Sequence, residues 1–260
     1  MTSTHAWDRA AALPVPVDGL RRPEVVALPV GLPSVADLFT FMRDAELRFA
    51  TLRMRIADTS RTARGEEVTN VEVSLRHPGH AKVTTSQAGR EVGGDYDIWI
   101  SDGDLVRTYA GAHKLGTQRP VRNRPRGLDD HDLPGFAQVY EPVTLLPTET
   151  LPDTFVHPGG LCQNVLSTGR CTITGTAVAI GREVITLVCE HPRTTELAGD
   201  RPDHRLHLTV DRATGVILRL VETTGDDVSR DAQVQLFDPD AALPPSAFEF
   251  VFPSGTTMLY

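Results

Sequence analysis

From Tyr96 to Tyr109 the chain reads YDIWISDGDLVRTY, two short runs of alternating apolar and polar residues around Asp102-Gly103. Asp-Gly between such runs predicts a β-hairpin, because both centres of a tight two-residue turn need positive φ. With Asp102 and Gly103 as those centres, Ile100 faces Leu105, Trp99 faces Val106 and Tyr96 faces Tyr109. Tyr96, Ile98, Ile100, Leu105 and Tyr109 then share one face with Arg107. Asp97, Trp99, Ser101, Val106 and Thr108 share the other. Neither face is polar throughout. A sheet with two partly apolar faces must cover both, or hold something apolar on one.

Elsewhere the period-two signal recurs. Leu52, Met54 and Ile56 alternate with Arg53, Arg55 and Ala57. A Gly/Arg-rich turn over 59–66 leads to Val71, Val73 and Leu75, and 81–86 resumes after the break at Arg76-His77-Pro78-Gly79. After Cys171, strands are expected over 172–180, 182–189, 205–211, 216–223 and 233–237, with Asp211-Arg-Ala-Thr-Gly215 as a turn. One stretch has helical spacing instead. Ser34 reads as an N-cap for Val35 to Arg48, where Leu38, Phe39, Phe41, Met42, Ala45 and Phe49 form a broad apolar stripe. A stripe of this kind is expected to lie on a sheet.

Two regions do not fit these periods. Residues 1–33 are dense in proline, which predicts an extended arm with Val25, Val26, Leu28 and Val30 available for packing. Residues 111–170 read as a long loop insertion, basic at Arg119, Arg122, Arg124 and Arg126, then acidic at Asp129, Asp130 and Asp132, with a short helix or lid expected between Val143 and Phe155.

Composition narrows the class. The 260 residues carry a net charge of -8, with an isoelectric point near 5.6 and mean hydropathy of -0.18. An acidic surface does not suit nucleic acid or anionic lipid as the main partner. No apolar run reaches the ~18 residues a membrane helix needs. The N-terminus lacks the basic start and apolar core of a signal peptide, so the chain reads as cytoplasmic as written.

Catalytic and metal signals are sparse. No Gly-x-Ser-x-Gly, Walker loop, dinucleotide fingerprint or His-Glu-x-x-His occurs, and no cofactor or metal is expected. Most histidines lie beside Pro or Gly, and His204 and His207 point to opposite faces of a strand. Asp129 to Asp132 reads as an exposed acidic loop before it reads as a cation site. Of Cys162, Cys171 and Cys189, the first two flank turn-like Ser-Thr-Gly and are a candidate hairpin disulfide in an exported protein; in the cytoplasm all three are free thiols. Cys189 reads as core.

Five stretches together resemble the LolA-like lipoprotein carriers and the related RseB/MucB regulators. SLRHPGHAKV and WISDGDLVRTY resemble the strand turn and the hairpin of LolA-like carriers. GREVITLVCEHP and LTVDRATGVILRLVETTGD resemble a strand and the following hairpin of the RseB/MucB domain, and PPSAFEFVFPSG resembles the family's ending. They occur in the family's order and span roughly residues 34–256. The resemblance implies a mainly β (α+β) fold: a curved antiparallel sheet forming an unclosed β-barrel, with the N-terminal helix and plug helices or a loop on its concave face. It implies one domain over 34–260, placed outside the cytoplasm.

It also implies a hydrophobic ligand, a lipid or a lipoprotein acyl chain, held in the concavity without catalysis. Each buried CH₂ contributes about 0.8 kcal/mol to such binding. Phe39, Met42, Met54, Tyr96, Ile98, Ile100, Leu105 and Tyr109 are the candidate lining. Two alternatives stand beside this carrier or sensor. One is a protein-interaction module with a packed groove. The other is an enzyme using the cavity for an apolar small molecule.

Overall fold

In a computed structural model, described for residues 27–62, 65–89, 96–121, 142–192 and 203–259, the alternating runs become strands. The first half supplies β1 (Thr51–Thr62), β2 (Gly65–Arg76), β3 (His80–Gln87), β4 (Tyr96–Asp102), β5 (Leu105–Ala110) and β6 (Leu115–Pro120). The second supplies β7 (Arg170–Ala179), β8 (Arg182–Glu190), β9 (His204–Asp211), β10 (Ile217–Thr224), β11 (Asp227–Pro239) and a short β12 (Thr257–Leu259). All twelve form one curved sheet, in the order β12-β6-β5-β4-β3-β2-β1-β11-β10-β9-β8-β7. Two meanders of consecutive strands are thus joined along β1 and β11, where Leu52 pairs Pro239 and Ser60 pairs Arg230 around a bulge at Arg55/Ile56. The end strands β12 and β7 do not meet, so the barrel is unclosed, as expected.

Helices cover one face, the inner one. Helix α1 (Val35–Arg43) starts at a capping box in which Ser34 Oγ accepts from the Asp37 amide. A 3-10 turn (Ala45–Arg48) follows, so the helical span matches the expected one. Helices α2 (Leu151–Val156) and α3 (Gly159–Asn164) complete the cover. Leu38, Met42, Phe155 and Leu166 from this layer meet Leu52, Met54, Val73, Leu75, Leu187 and Leu208 from the sheet, all at 1% exposure or less. Leu28, at the end of the arm, packs on the same core, and Arg212 Nη2 donates to the carbonyls of Pro29 and Gly31 at 2.9 and 2.8 Å. Val30 is exposed. The rest of the arm, residues 1–26, lies outside the described residues.

The segment 111–170 is more ordered than its sequence suggests. Besides α2 and α3 it contains β6, with apolar Leu115 and little else to mark a strand. Pairing on both sides makes it one: Tyr109 sits opposite Gly116 on β5, and Met258 opposite Gly116 on β12, in parallel. Arg122 to Asp132, with its basic and acidic clusters, lies outside the described residues.

Two turns explain two of the sequence motifs. Gly79, after the cis His77-Pro78 bond, has φ +80, and Gly103 has φ +93. A Cβ on Gly79 would stand 2.9 Å from the Gly103 Cα. The β2–β3 and β4–β5 turns therefore touch backbone to backbone. At the other meander, Asp211 is 1% exposed and receives Arg182 at 2.7 and 3.0 Å, together with the Thr214 amide and hydroxyl at 2.9 and 2.7 Å. The Asp-Arg-Ala-Thr-Gly motif is an Asx-type turn locked by an arginine fork.

Candidate functional site

The central hairpin forms, with its faces as expected but its register moved. Ser101 pairs Val106, Ile100 pairs Arg107 and Ile98 pairs Tyr109. The turn centres are thus Gly103 and Asp104, one residue later than the dipeptide suggests. Asp102 Oδ1 accepts from the amides of Asp104 and Leu105 at 3.1 and 2.8 Å. That side-chain bond holds Asp102 as the last strand residue and puts glycine at the first turn centre, where positive φ is required. A shift of two in the partner leaves each residue on its original face.

The eight candidate lining residues divide between the two faces. Met42 and Met54 are buried in the inner core, and Phe39 packs against it half-buried. Ile98, Ile100 and Tyr109 belong to a separate cluster on the outer face, with Tyr96 packed beside them. Leu105 is half-buried near the turn of that hairpin. The structure does not bring these two sets together. Trp99, on the opposite side of β4, is the hairpin residue that packs on the inner core.

What covers the outer set is the end of the chain. Phe250 and Phe252 lie on it, with ring centroids 6.0 Å from Tyr109 to Phe250 and 5.1 Å from Phe250 to Phe252. A Cβ on Gly116 would stand 2.7 Å from the Phe252 ring, so glycine leaves the room that ring needs. Beyond it, the Thr257 amide donates to the Lys114 carbonyl at 2.8 Å and β12 pairs with β6.

The described part of the inner face is packed with buried apolar side chains. At the α1–α3 seam, Cys162 Sγ lies 3.9 Å from Met42 Sδ. Cys162, Cys171 and Cys189 are all free. Cys171 stands opposite Cys189 on β7 and β8, and both thiols donate to the Leu166 carbonyl, at 3.4 and 3.5 Å. The candidate Cys162–Cys171 bond is not formed; the strand register gives Cys171 a different neighbour. Burial raises the Cys162 thiol above its ordinary range.

A buried polar cluster ties this cover together. His157 Nε2 lies 3.1 Å from Glu46 Oε2 and its Nδ1 2.9 Å from Asp153 Oδ1. Glu46 also accepts from the Val143 amide at 3.1 Å. Burial alone would lower the His157 pKa, but the two carboxylates raise it to about 9. Burial opposes Glu46 ionisation too, and His157 overrides it, so the carboxyl stays below its usual range. His77, 2.8 Å from Thr144 Oγ1, is instead pushed down to about 4 by burial. This is an acid–base constellation in form, and it pins the 3-10 turn, α2 and the β2–β3 turn to one another. Among the described residues no group of His, Cys, Asp and Glu is placed to hold a metal ion.

The sheet's β7 edge is the exposed feature the sequence reading missed. All its ten residues are half-buried or exposed, and Val178 and Ile180 are 76% and 42% exposed. Residues 171–181, CTITGTAVAIG, contain no charge and no proline. That gap in an otherwise charged chain was the available signal. Natural sheets ordinarily blunt such an edge with Lys, Pro, a bulge or a cover; of these, the described part of the edge shows the bulge at Ile173/Gly175.

No family model and no curated protein matches this chain. Solved structures similar to it include MucB, at 14% identity over 83% of this chain, with a TM-score of 0.47. The chain spans 62% of the length of that MucB chain. They also include an uncharacterized conserved protein from Thermus thermophilus, at 11% identity over 86% of this chain and 98% of that one, TM-score 0.45. A LolA superfamily protein from Nitrosomonas europaea is similar at 9% identity over 80% of this chain and 94% of that one, TM-score 0.31. No helix among the described residues is long and apolar enough to cross a membrane. MucB and the LolA superfamily protein bear the names of the families that the sequence motifs resemble.

Proposed function

We propose that this chain is a binding module that engages an extended segment of a partner protein along β7, with its concave face packed. The observation that carries this reading is the end strand β7, uncharged from Cys171 to Ala179 and unpaired on its outer side among the described residues, with exposed Val178 in it and exposed Ile180 just beyond it. The outward N–H and C=O groups of such an edge pair with an added strand, each bond contributing about 0.5–1.5 kcal/mol net, and alternate apolar side chains set the register. The partner segment is extended, rich in β-branched or other apolar residues at alternate positions, and free of charge at its centre. An extracytoplasmic site of action fits the family resemblance.

The test is amide hydrogen exchange on the complex isolated from the native host. The β7 amides gain protection in the complex, and Val178→Lys weakens the complex at least ten-fold while leaving the melting temperature unchanged. Protection confined to other surfaces would refute the edge as the site.

A second reading is favoured by the α1–α3 seam. There the packing is sulfur against sulfur, Met42 on Cys162, in the same apolar cluster as Met54. Thioether side chains repack more readily than branched ones, and α2 and α3 are six residues each. In this reading a lipid or lipoprotein acyl chain displaces α3 and lies on the apolar inner face. Native mass spectrometry followed by organic extraction separates the two: a co-purifying apolar mass, with exchange protection at α1 and α3, assigns the inner face.

A further inference from the structure

On the outer face, where β2 to β5 end beside residues 245–251, lies a cleft of about 560 Å³ whose lining includes Arg76, His80, Asp102, Arg107, Phe248 and Phe250. Strand register puts its polar groups in one row. Arg76 pairs His80, and His80 pairs Asp102, across β2, β3 and β4. Arg107 enters from β5, opposite Ile100.

The charges in this row are unequally satisfied. Asp102 is committed on both oxygens: Oδ1 accepts the two turn amides, and Oδ2 accepts from Arg107 Nη1 at 3.0 Å. Arg107 Nε donates to Gln118 at 3.1 Å. Arg107 is thereby fixed and largely neutralised. Arg76 has no hydrogen-bonded carboxylate among the described residues; its guanidinium lies 4.8 Å over the Phe248 ring. His80 Nδ1 is turned to the Pro78 carbonyl at 3.0 Å, and its ring meets Phe248 edge-on with centroids 5.7 Å apart. A half-buried guanidinium thus lines a cleft whose other walls are Phe248, Phe250, Pro245 and Val251, the last 86% exposed, together with Asp102 and the exposed carboxylate of Glu249. Guanidinium donors in a fixed plane match a carboxylate in geometry as well as charge.

We propose that this cleft binds an apolar monocarboxylate, its carboxylate on Arg76 and its hydrocarbon part on Phe248, Phe250 and Val251. The site is separate from β7 and from the inner face, and its fate is independent of theirs. The chain's net charge of -8 and the Glu249 carboxylate in the lining work against anions in general, so selectivity falls to Arg76 together with the apolar wall of Phe248, Phe250 and Val251.

Isothermal titration with octanoate and with octanol tests this on the full chain. Octanoate binds in the millimolar range or tighter; octanol, which keeps the chain and loses the charge, binds at least ten-fold more weakly. Arg76→Gln costs about ten-fold in octanoate affinity, the scale of one lost charge-assisted contact. Arg76→Lys, which keeps the charge but not the planar fork, recovers part of it. Arg119→Gln, at the exposed end of β6, changes nothing. Chemical shifts of the Val251 methyl groups move on titration in the wild type. Equal binding of octanol and octanoate, unchanged affinity in Arg76→Gln, or absence of octanoate binding would each overturn the proposal. Circular dichroism of each variant separates lost affinity from lost fold.

Discussion

The two faces of the sheet are closed by different means. The inner face is apolar along nearly its whole breadth, from Trp99 through Val73, Met54 and Val234 to Leu208 and Leu187, and helices lie over it. The outer face is polar across its middle, with exposed Arg53, Arg55 and Glu72 and the Arg219–Asp231 ion pair at 2.6 Å. It turns apolar only at β4 and β5, and there the chain's own end supplies the cover through Phe250 and Phe252. A hairpin that reads as apolar on both sides therefore has no need of a ligand. One half of its side chains joins a large core, the other half a small one built from residues far away in sequence. Ambiguous alternation is evidence for two covers, and a ligand is only one kind of cover.

The largest expected effect separates these cores. Phe155 is fully buried in the inner one, and Phe155→Ala should cost about 3–5 kcal/mol in urea unfolding. Ile100 is equally buried in the outer one, but its neighbourhood is small and able to collapse, so Ile100→Ala should cost about 2–3 kcal/mol. Because the clusters share no side chain, the double variant should be additive within about 0.5 kcal/mol. Ile100→Ala with Phe250→Ala should be non-additive. If the Phe155–Ile100 pair coupled strongly, the two faces would form one cooperative core and the contrast would fail.

A second effect, expected at about 3 kcal/mol on either side, belongs to the inner cover alone. His157 has a pKa raised to about 9 in the folded protein. Its contribution is complete below the unfolded value near 6.5 and is lost as pH rises from there through 9. His77 is depressed to about 4. Its neutral form is the one the fold accommodates, so stability falls as pH drops from 6.5 towards 4, and the lowered Glu46 adds a further loss below its ordinary 4.5. Unfolding free energy against pH should peak near 6.5. His157→Gln should flatten the alkaline limb and leave the acid limb in place; an unchanged alkaline limb would remove His157 from the account.

Much of this was legible from residue order. Ser34 with Asp37 marked the helix start, because the cap is a local interaction. Strand faces followed from period two, which survives a register error. What escaped was set by partners distant in sequence. Strand β6 has too few apolar residues to declare itself and is a strand because β5 and β12 hold it. Phe248, Phe250 and Phe252 recur at period two, a visible signal, yet nothing local says that Tyr109 lies beneath them. The lining set failed as one site for the same reason: Met42 and Ile100 are alike in chemistry, and only topology assigns them to opposite faces.

The smallest of these effects tests the contact that lies at the rim of both faces. Gly79 and Gly103 carry positive φ in neighbouring turns, and a Cβ on Gly79 would meet the Gly103 Cα at 2.9 Å. Gly79→Ala should therefore cost about 1–2 kcal/mol, more than the strain of φ alone, because the obstacle is backbone and cannot rotate away. A Cβ on Gly103 would find the Gly79 Cα at 3.9 Å, an ordinary contact. Gly103→Ala should then cost only the conformational part, about 1 kcal/mol. The asymmetry between two glycines in one contact is what urea unfolding would read. Equal costs would mean that positive φ accounts for both, and that the turns do not press on each other.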